Sequence, residues 1–516
     1  QRELGIPRIY PWGEFNIEVC PSPVLGPTNM NKLGEPAMAV PKDASIPSWH
    51  GSANRTPLRP RTWLADGISV TWNPVRPDRP VDWSPFCRPT RSHRDGASEP
   101  ERKGRAADRV SPAKYVLGMP DELSLVGDRV NQLLAELDPR KTPVDEFRGR
   151  QFDLGLAWVS FPEGSGGLLL PPGLQREIDR RLAEAGAQPG GAREFFGWTM
   201  AAPTMVTHGS EELRTRLLRK TFTGEEVWCQ LFSEPGAGSD LAGLATRAVR
   251  DGDEWIVTGQ KVWNTLAHIA DRGMLVTRTD PDQPKHKGLT YFALDMHAPG
   301  VEVRPLRQMT GEAEFNEVYL TDVGVPDADR IGDIDEGWRV AMTTLSNERT
   351  TIGGGSGPPT RGSGSIAEAV RIWQNDPSRQ NPVDRDRLMR SWIESEALRL
   401  TNMRASQNRK AGNPGPEGSI AKLMFAEVNK RVYELCVDLL GPAALVDYDY
   451  TMRRSEALGL VGPPGSSRKM FLRSRANSIE GGTSEIQRNI LGERILGLPG
   501  DVRVDKAMSW SEVPRN

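Results

Sequence analysis

Hydrophobic period switches twice along this chain of 516 residues, from helical to alternating and back. Between 119 and 139, Leu123, Val126, Val130, Leu133, Leu134 and Leu137 recur at helical spacing, with Asp121 available as N-cap. The stretch 174–188 predicts a second amphipathic helix, closed by Gly186. A third is expected over 209–226, with a partial cap at Ser210. From about 229 to 335 the pattern becomes short alternating runs: WIVTG, GMLVTRT, LTYFALDM, VEVRPL and FNEVYLTDVGVP. Gly, Asp and Pro clusters separate them, which predicts a compact β-barrel or β-sandwich. Helices return over 337–352, 384–406, 418–441 and from Ser484 onward. Ile420, Met424, Val428, Val432, Leu435 and Leu439 form the stripe of the third of these, with Gly441 at its end. Such an order reads as an α+β protein.

The first 112 residues differ from the rest. They hold 17 of the 42 prolines, five tryptophans and only five leucines, and no period persists there. Such a segment buries too little apolar area to offset its ordering entropy. It is expected to be a disordered extension, or sequence upstream of the natural start. The domains that follow are expected at 113–228 (helical), 229–335 (β) and 336–498 (helical), with a tail at 499–516.

A net charge of −2 argues against nucleic-acid or membrane-surface binding driven by bulk charge. No apolar run reaches the ~18 residues of a membrane span. Cys20, Cys87, Cys229 and Cys436 form no CxxC pair, and the six histidines form no HxxxH, so no metal site is expected. That cysteine usage points to a reduced, cytoplasmic protein. Two loops imitate nucleotide motifs. GAGSDL (236–241) has Leu241 in place of a third glycine, and GGGSGPPTRGSGS (353–365) lacks GK[ST] and reads as a connector.

The run WCQLFSEPGAGSDLAG (228–243) concentrates chemistry. Its glycines and serines expose backbone N–H groups able to grip an anionic or heteroaromatic ligand. It closely resembles the first signature of the acyl-CoA dehydrogenase family. GQKVWNT (259–265), FNEVYLTDVGVPDADRIGDIDEGWRVAM (315–342) and SIEGGTSEIQRNILGERILGLP (478–499) resemble further family segments, in the same order. The resemblance covers about 115–515. It implies a helical N-terminal domain, a central β-barrel domain and a C-terminal four-helix bundle, with FAD as cofactor.

Carried over where residues match, the flavin contacts would be Phe232, Ser233, Gly238, Ser239, Trp263, Thr265, Thr483 and Glu485. Ser239 and Arg349 would touch the substrate. Each has a plainer alternative: a Trp in an alternating strand is usually core, and a Ser in a glycine-rich turn usually bonds its own backbone. Many relatives carry an RxxFG motif whose Arg grips the neighbouring subunit's FAD pyrophosphate. Here the stretch reads AVRIWQNDPSRQNPVDRDRL, with Arg379, Arg385 and Arg387 as substitutes to consider. GWTMAAPTMVTHGS (197–210) resembles the family's substrate-cavity helix.

The implied reaction, α,β-dehydrogenation of an acyl-CoA thioester to the trans-2-enoyl-CoA, needs a carboxylate to remove the α-proton while hydride leaves Cβ for flavin N5. It also needs hydrogen-bond donors for the thioester oxygen. In the commonest family arrangement a Glu precedes Gly-Thr in the second signature, where this chain has Gly481. Glu480 is one residue early, a turn of ~100° on a helix, so Glu480→Gln is expected to be nearly silent. Isovaleryl- and long-chain-type relatives place the base on the first long C-terminal helix, as Glu-Arg after GW or GF. Gly337-Trp338 followed by Glu348-Arg349 matches that pattern. Glu348 is therefore the expected base, with Gly481 N–H left for the thioester oxygen. The plainer reading of Glu348 is a solvated Glu paired with an Arg.

Electron-transfer flavoprotein is the implied electron acceptor, and a homodimer or homotetramer the implied assembly. Two other functions stay open: a non-catalytic subunit of a heteromeric acyl-CoA dehydrogenase, and a flavin oxidase on the same fold. A base on the long helix leans toward branched or bulky acyl chains.

Overall fold

The computed structural model describes residues 120–352, 360–410, 415–446, 451–456, 466–500, 502–503 and 505–514, together with three strands among the first hundred residues. The chain divides into two units, 1–106 and 107–516. In the first, β1 (Glu14–Val19), β2 (Arg61–Ala65) and β3 (Ile68–Asn73) form an antiparallel sheet with β3 in the middle. Five or six residues each, these strands are too short to register as a sustained period. The disorder expected over 1–112 otherwise falls outside the described residues.

The second unit opens with helices α1 (Pro120–Glu136), α2 (Val144–Asp153), α3 (Gln175–Ala185), α4 (Ala192–Phe196), α5 (Ala202–His208) and α6 (Glu211–Thr223). Val126, Val130 and Leu133 of α1 pack with Ile178 and Leu182 of α3 and with Phe147 of α2. Gly186 ends α3 at φ +98°, a conformation that favours glycine. Ser210 caps α6 by accepting from Leu213 N at 3.1 Å. Asp121 lies inside α1 rather than before it, because the helix already includes Pro120.

The middle holds seven strands: β4 (Trp228–Leu231), β5 (Arg247–Asp251), β6 (Glu254–Thr265), β7 (Arg272–Arg278), β8 (Leu289–Asp295), β9 (Val301–Pro305) and β10 (Phe315–Pro326). They pair in the order β4-β7-β5-β6-β10-β9, with β8 on β7. β4 runs parallel to β7, so the chain leaves β4 at the sheet's edge and must make a long excursion before returning. That excursion runs through the glycine-rich loop and then β5 and β6. β7 and β8 are buried along nearly their whole length, so their sequences are continuous apolar runs.

Helices α7 (Gly337–Ile352), α8 (Ser365–Asn375), α9 (Pro382–Lys410) and α10 (Glu417–Leu440) follow. Val428, Val432, Leu435 and Leu439 of α10 pack with Ile366, Ala369 and Ile372 of α8 and Leu388 of α9. Val340 and Ala341 of α7 instead join the core of the N-terminal helices and β-strands. α7 is thus the element that carries side chains from the C-terminal region against the rest. Short helices α11 (Ser467–Arg473) and α12 (Ser484–Asn489) close the fold. In the tail, Trp510 Nε1 donates to Gly243 O at 3.1 Å, and the ring lies 4.9 Å from the Arg278 guanidinium. Among the described residues no helix is long and apolar enough to cross a membrane.

Candidate active site

The loop after β4 is fixed from within. Glu234 N donates to Ala237 O at 3.1 Å and Ala237 N to Glu234 O at 3.0 Å, folding Pro235-Gly236 into a tight turn. The Glu234 carboxylate turns inward, accepting from Ala245 N (2.6 Å), Thr246 N (2.9 Å) and Lys261 Nζ (2.8 Å). Lys261 is fully buried. Its three donors go to Glu234, Phe232 O at 3.1 Å and Val276 O at 2.8 Å, so the ammonium is satisfied. Burial alone would raise the Glu234 pKa; the Lys261 charge and the hydrogen bonds outweigh it and hold the carboxyl below its ordinary range. Ser233 O accepts from Val262 N at 2.9 Å, which ties the loop to β6. Pro235, Gly236, Gly238 and Ser239 are left facing solvent, and nothing lies within 4 Å of a Cβ built on Gly236 or Gly238.

Beside this loop, β6 and β10 slip register between Asn316 and Val318. The slip is a bulge, and Trp263 sits in it at φ +62°. The Trp263 side chain is 60 % exposed, the reverse of a core tryptophan. Its ring meets the edge of Phe315 at 5.9 Å. A bulky residue held in the left-handed region costs on the order of 1–3 kcal/mol, and such strain clusters where ligands bind. Thr265 is half-buried and pairs with Phe315. Behind it, Asn264 Oδ1 and His268 Nε2 are buried without a hydrogen-bond partner.

The second glycine loop precedes α12. Thr483 caps that helix, accepting from Ile486 N at 3.1 Å. Gly481 and Gly482 adopt φ +60° and +88°. The Glu480 carboxylate is held by its neighbours. It accepts from Arg473 at 3.1 and 2.8 Å and from Asn477 Nδ2 at 2.8 Å. Arg473 is nearly buried, lies 3.4 Å from Glu314 and stacks over Phe315 at 5.7 Å. The aromatic pair at Trp263 and the loop at Gly481 therefore share one framework.

Gly481 and Glu348 meet across the gap between α7 and this loop. A Cβ on Gly481 would lie 3.8 Å from Glu348 Oε1 and 3.9 Å from Lys422 Cε. The carboxylate from α7 thus reaches the ground that a side chain at 481 would enter. One turn back along α7, the buried Thr344 hydroxyl meets those of Thr204 (2.9 Å) and Tyr291 (3.1 Å). This fixes α7 against α5 and β8.

Phe232, Ser233, Gly238 and Ser239 lie on one loop, Trp263 and Thr265 on the adjoining strand, and Glu348 and Gly481 face each other. Glu485 is not drawn inward: it is 74 % exposed and pairs with Arg488 at 3.1 Å. The side chain of Arg349 lies outside the described residues. Of the arginines considered for the pyrophosphate, Arg379 pairs with Asp376 and Arg387 with Asp384 and Asp438, while Arg385 is exposed. Sequence reasoning missed Lys261, Arg473 and Lys422.

Comparison with known proteins gives a direct answer on kinship. Residues 229–323 match the acyl-CoA dehydrogenase middle domain and 335–496 the acyl-CoA dehydrogenase C-terminal domain. The chain is 35 % identical over 358 residues to acyl-CoA dehydrogenase IpdE1 of Mycobacterium tuberculosis, covering 68 % of this chain and 86 % of the relative. It is 40 % identical over 333 residues to acyl-CoA dehydrogenase FadE34 of the same organism, covering 64 % of this chain but only 43 % of that longer relative. Among solved structures, the Tcur3481-Tcur3483 steroid ACAD aligns with a TM-score of 0.55 at 26 % identity, over 74 % of this chain and 99 % of the other. The chain belongs to the acyl-CoA dehydrogenase family.

Proposed function

We propose that this protein catalyses FAD-dependent α,β-dehydrogenation of an acyl-CoA thioester with Glu348 as the base. The observation that carries the reading is the approach of Glu348 Oε1 to the position a side chain on Gly481 would occupy. Two family positions for the base converge on one place, and only one of them holds a carboxylate here.

FAD fits the residues present. An exposed, strained Trp263 offers an aromatic face, open glycine positions at 236 and 238 allow close backbone approach, and orphaned polar atoms sit behind Thr265. Phe232, Ser233, Gly238, Ser239, Trp263 and Thr265 would hold it, with Thr483 at the second loop. When bound, FAD supplies the acceptor for the hydride that leaves Cβ. Glu348 removes the α-proton, Gly481 N–H donates to the thioester oxygen as enolate charge develops, and the Thr204–Thr344–Tyr291 cluster keeps α7 in place. Ser239 and Arg349 would touch the substrate. An electron-transfer flavoprotein would be the electron acceptor.

The substrate is a bulky acyl-CoA of the steroid type. Support comes from the base position on α7 and from the steroid ACAD among the solved relatives. Anaerobic mixing of the flavin-loaded protein with straight-chain, branched and steroid acyl-CoA thioesters tests this. Bleaching of the flavin absorbance by the bulky thioesters is expected; reduction only by short straight chains would overturn the substrate class. Peroxide formed at the rate of turnover in air would make the protein an oxidase.

A heteromeric assembly is the second reading. Arg379 and Arg387 are engaged in ion pairs within this chain, which favours a pyrophosphate cation supplied from elsewhere. Native mass spectrometry of the flavin-loaded full chain decides it: a homo-oligomer with full flavin content removes this reading.

A further inference from the structure

Two residues near the proposed flavin face hold a left-handed backbone without being glycine, Trp263 at φ +62° and Leu266 at φ +59°. They bracket Asn264 and Thr265, so the end of β6 is strained on both sides. Such a conformation persists only where the surroundings over-determine it. Asn316, opposite Asn264 in the β6–β10 register, supplies a constraint, and it is fully buried. Its Nδ2 donates to Asn264 O at 3.0 Å and to Glu314 O at 3.2 Å, and lies 3.2 Å from His268 Nδ1. Leu266 N donates to the same Glu314 O at 2.9 Å. One amide thus grips the residue between Trp263 and Thr265 together with the carbonyl on which Leu266 rests. The Asn264 side chain is tied as well, its Nδ2 donating to Gln230 O of β4 at 2.8 Å.

A side-chain amide has a donor end and an acceptor end, and only one of its two orientations satisfies this site. Asn316 Oδ1 accepts from Arg454 Nη2 at 3.2 Å. Arginine can only donate, while the carbonyls of Asn264 and Glu314 can only accept. Arg454 therefore sets the orientation that points the amide N–H groups at β6. Its own side chain is exposed, but the backbone beside it is anchored. Arg453 N donates to Gly311 O at 3.2 Å, and Ala313 N donates to Arg453 O at 2.7 Å. Glu456, two residues on, pairs with Arg193 at 3.0 Å.

We propose that Asn316 is a positioning residue for the flavin: its amide, oriented by Arg454, holds the strained Trp263–Leu266 backbone so that Trp263 and Thr265 present one fixed face. The inference rests on the reading of Trp263 and Thr265 as flavin contacts. It makes flavin affinity depend on an exposed arginine of the segment 451–456, far along the chain from the strand it serves.

The test is release of flavin from the flavin-loaded full chain on serial dilution, read by flavin fluorescence, with thermal unfolding measured alongside. Wild type is compared with Trp263→Ala, Asn316→Ala, the two together, Arg454→Met and Arg454→Lys. Asn316→Ala should weaken flavin binding about threefold to tenfold, the worth of a buried hydrogen bond. That loss should not multiply with the loss in Trp263→Ala. The pair should fall short of the product by about threefold or more, as residues sharing one backbone constraint do. Arg454→Met should weaken binding about twofold to threefold, and Lys, which keeps a cationic donor, should restore it. Losses that multiply in full overturn the proposal, because Asn316 would then act independently of Trp263. Wild-type affinity in a folded Asn316→Ala overturns it too. Should Asn316→Ala not fold, the Arg454 variants decide: wild-type affinity in Arg454→Met, or a loss that Lys fails to restore, overturns the proposal. If Trp263→Ala holds flavin as tightly as wild type, the flavin-contact reading itself has failed. If Trp263→Ala loses flavin while Asn316→Ala does not, only the role of Asn316 has failed.

Discussion

Two glycine-rich loops flank the proposed site, and they are held in opposite ways. The loop after β4 is anchored from the dry interior, by a Glu234–Lys261 pair that is 7 % and 0 % exposed. The loop before α12 hangs on partly exposed polar contacts, with Glu480 30 % exposed on its side of the Arg473 pair. Each loop contains a glutamate that looks available for chemistry in the sequence. In both cases the glutamate is spent on holding the loop. The carboxylate that comes up to the second loop arrives instead from α7, where Glu348 Oε1 would lie 3.8 Å from a Cβ on Gly481. The loop proposed to present backbone N–H groups is made rigid by a buried ion pair, and the proposed base is set on a helix locked by buried hydroxyls.

The difference between the loops can be broken at four points. Lys261→Met strands Glu234 in the interior, and removing one partner of such a buried pair costs about 3–5 kcal/mol. Denaturant unfolding should report that loss, together with flavin release. The same pair gives the first loop an acid limit. Glu234 is held below its ordinary pKa in the folded protein, so its contribution is present above the unfolded value of about 4.3 and is lost as pH falls through the folded value. Flavin retention should therefore collapse in acid and stay flat through neutrality, as measured by flavin fluorescence after pH jumps.

Glu480→Gln weakens the hold on Arg473 and should cost about 2 kcal/mol, by the usual worth of a charge-assisted pair at a partly buried site. Reduction by an acyl-CoA should continue, a split between stability and activity that a catalytic Glu480 would not show. Gly481→Ala meets no hard contact, since its nearest neighbours would lie at 3.8 and 3.9 Å, and so should cost only the ~1 kcal/mol of a left-handed alanine. Trp263→Ala should change stability least, by about 0.5 kcal/mol or less, because the side chain is mostly exposed. It should nevertheless weaken flavin binding about tenfold, the worth of one aromatic contact. A large stability loss with unchanged flavin affinity would return Trp263 to the core.

Much of this arrangement was legible in the sequence, for physical reasons that can be named. Helices α1, α3, α6, α7, α9 and α10 carry apolar stripes or terminal glycines, and their limits fall within a few residues of those expected. The five runs expected as strands became β6, β7, β8, β9 and β10. β4 and β5 escaped notice because β4 has four residues and β5, RAVRD, buries only Ala248. α2 escaped because its buried face includes Arg148, Gly149 and Gln151, so no apolar stripe marks it. At the site, Glu348 and Gly481 could be found by spacing within recognisable segments. Lys261, Arg473 and Lys422 could not: each acts through a partner distant in the chain, and a lone basic residue on a strand or helix looks like a solvated one. Glu485 shows the opposite limit, since a place in a motif does not decide which way a side chain on a first helical turn points.

The measurement that bears most directly on the whole account is single-turnover flavin reduction in Glu348→Gln, followed anaerobically with a bulky acyl-CoA after confirming full flavin content. Loss of a general base typically removes about two to four orders of magnitude in rate. The account predicts a fall of that size, with flavin binding and folding unchanged. Full-rate reduction in this variant would contradict it and return the search for the base to the glycine loop.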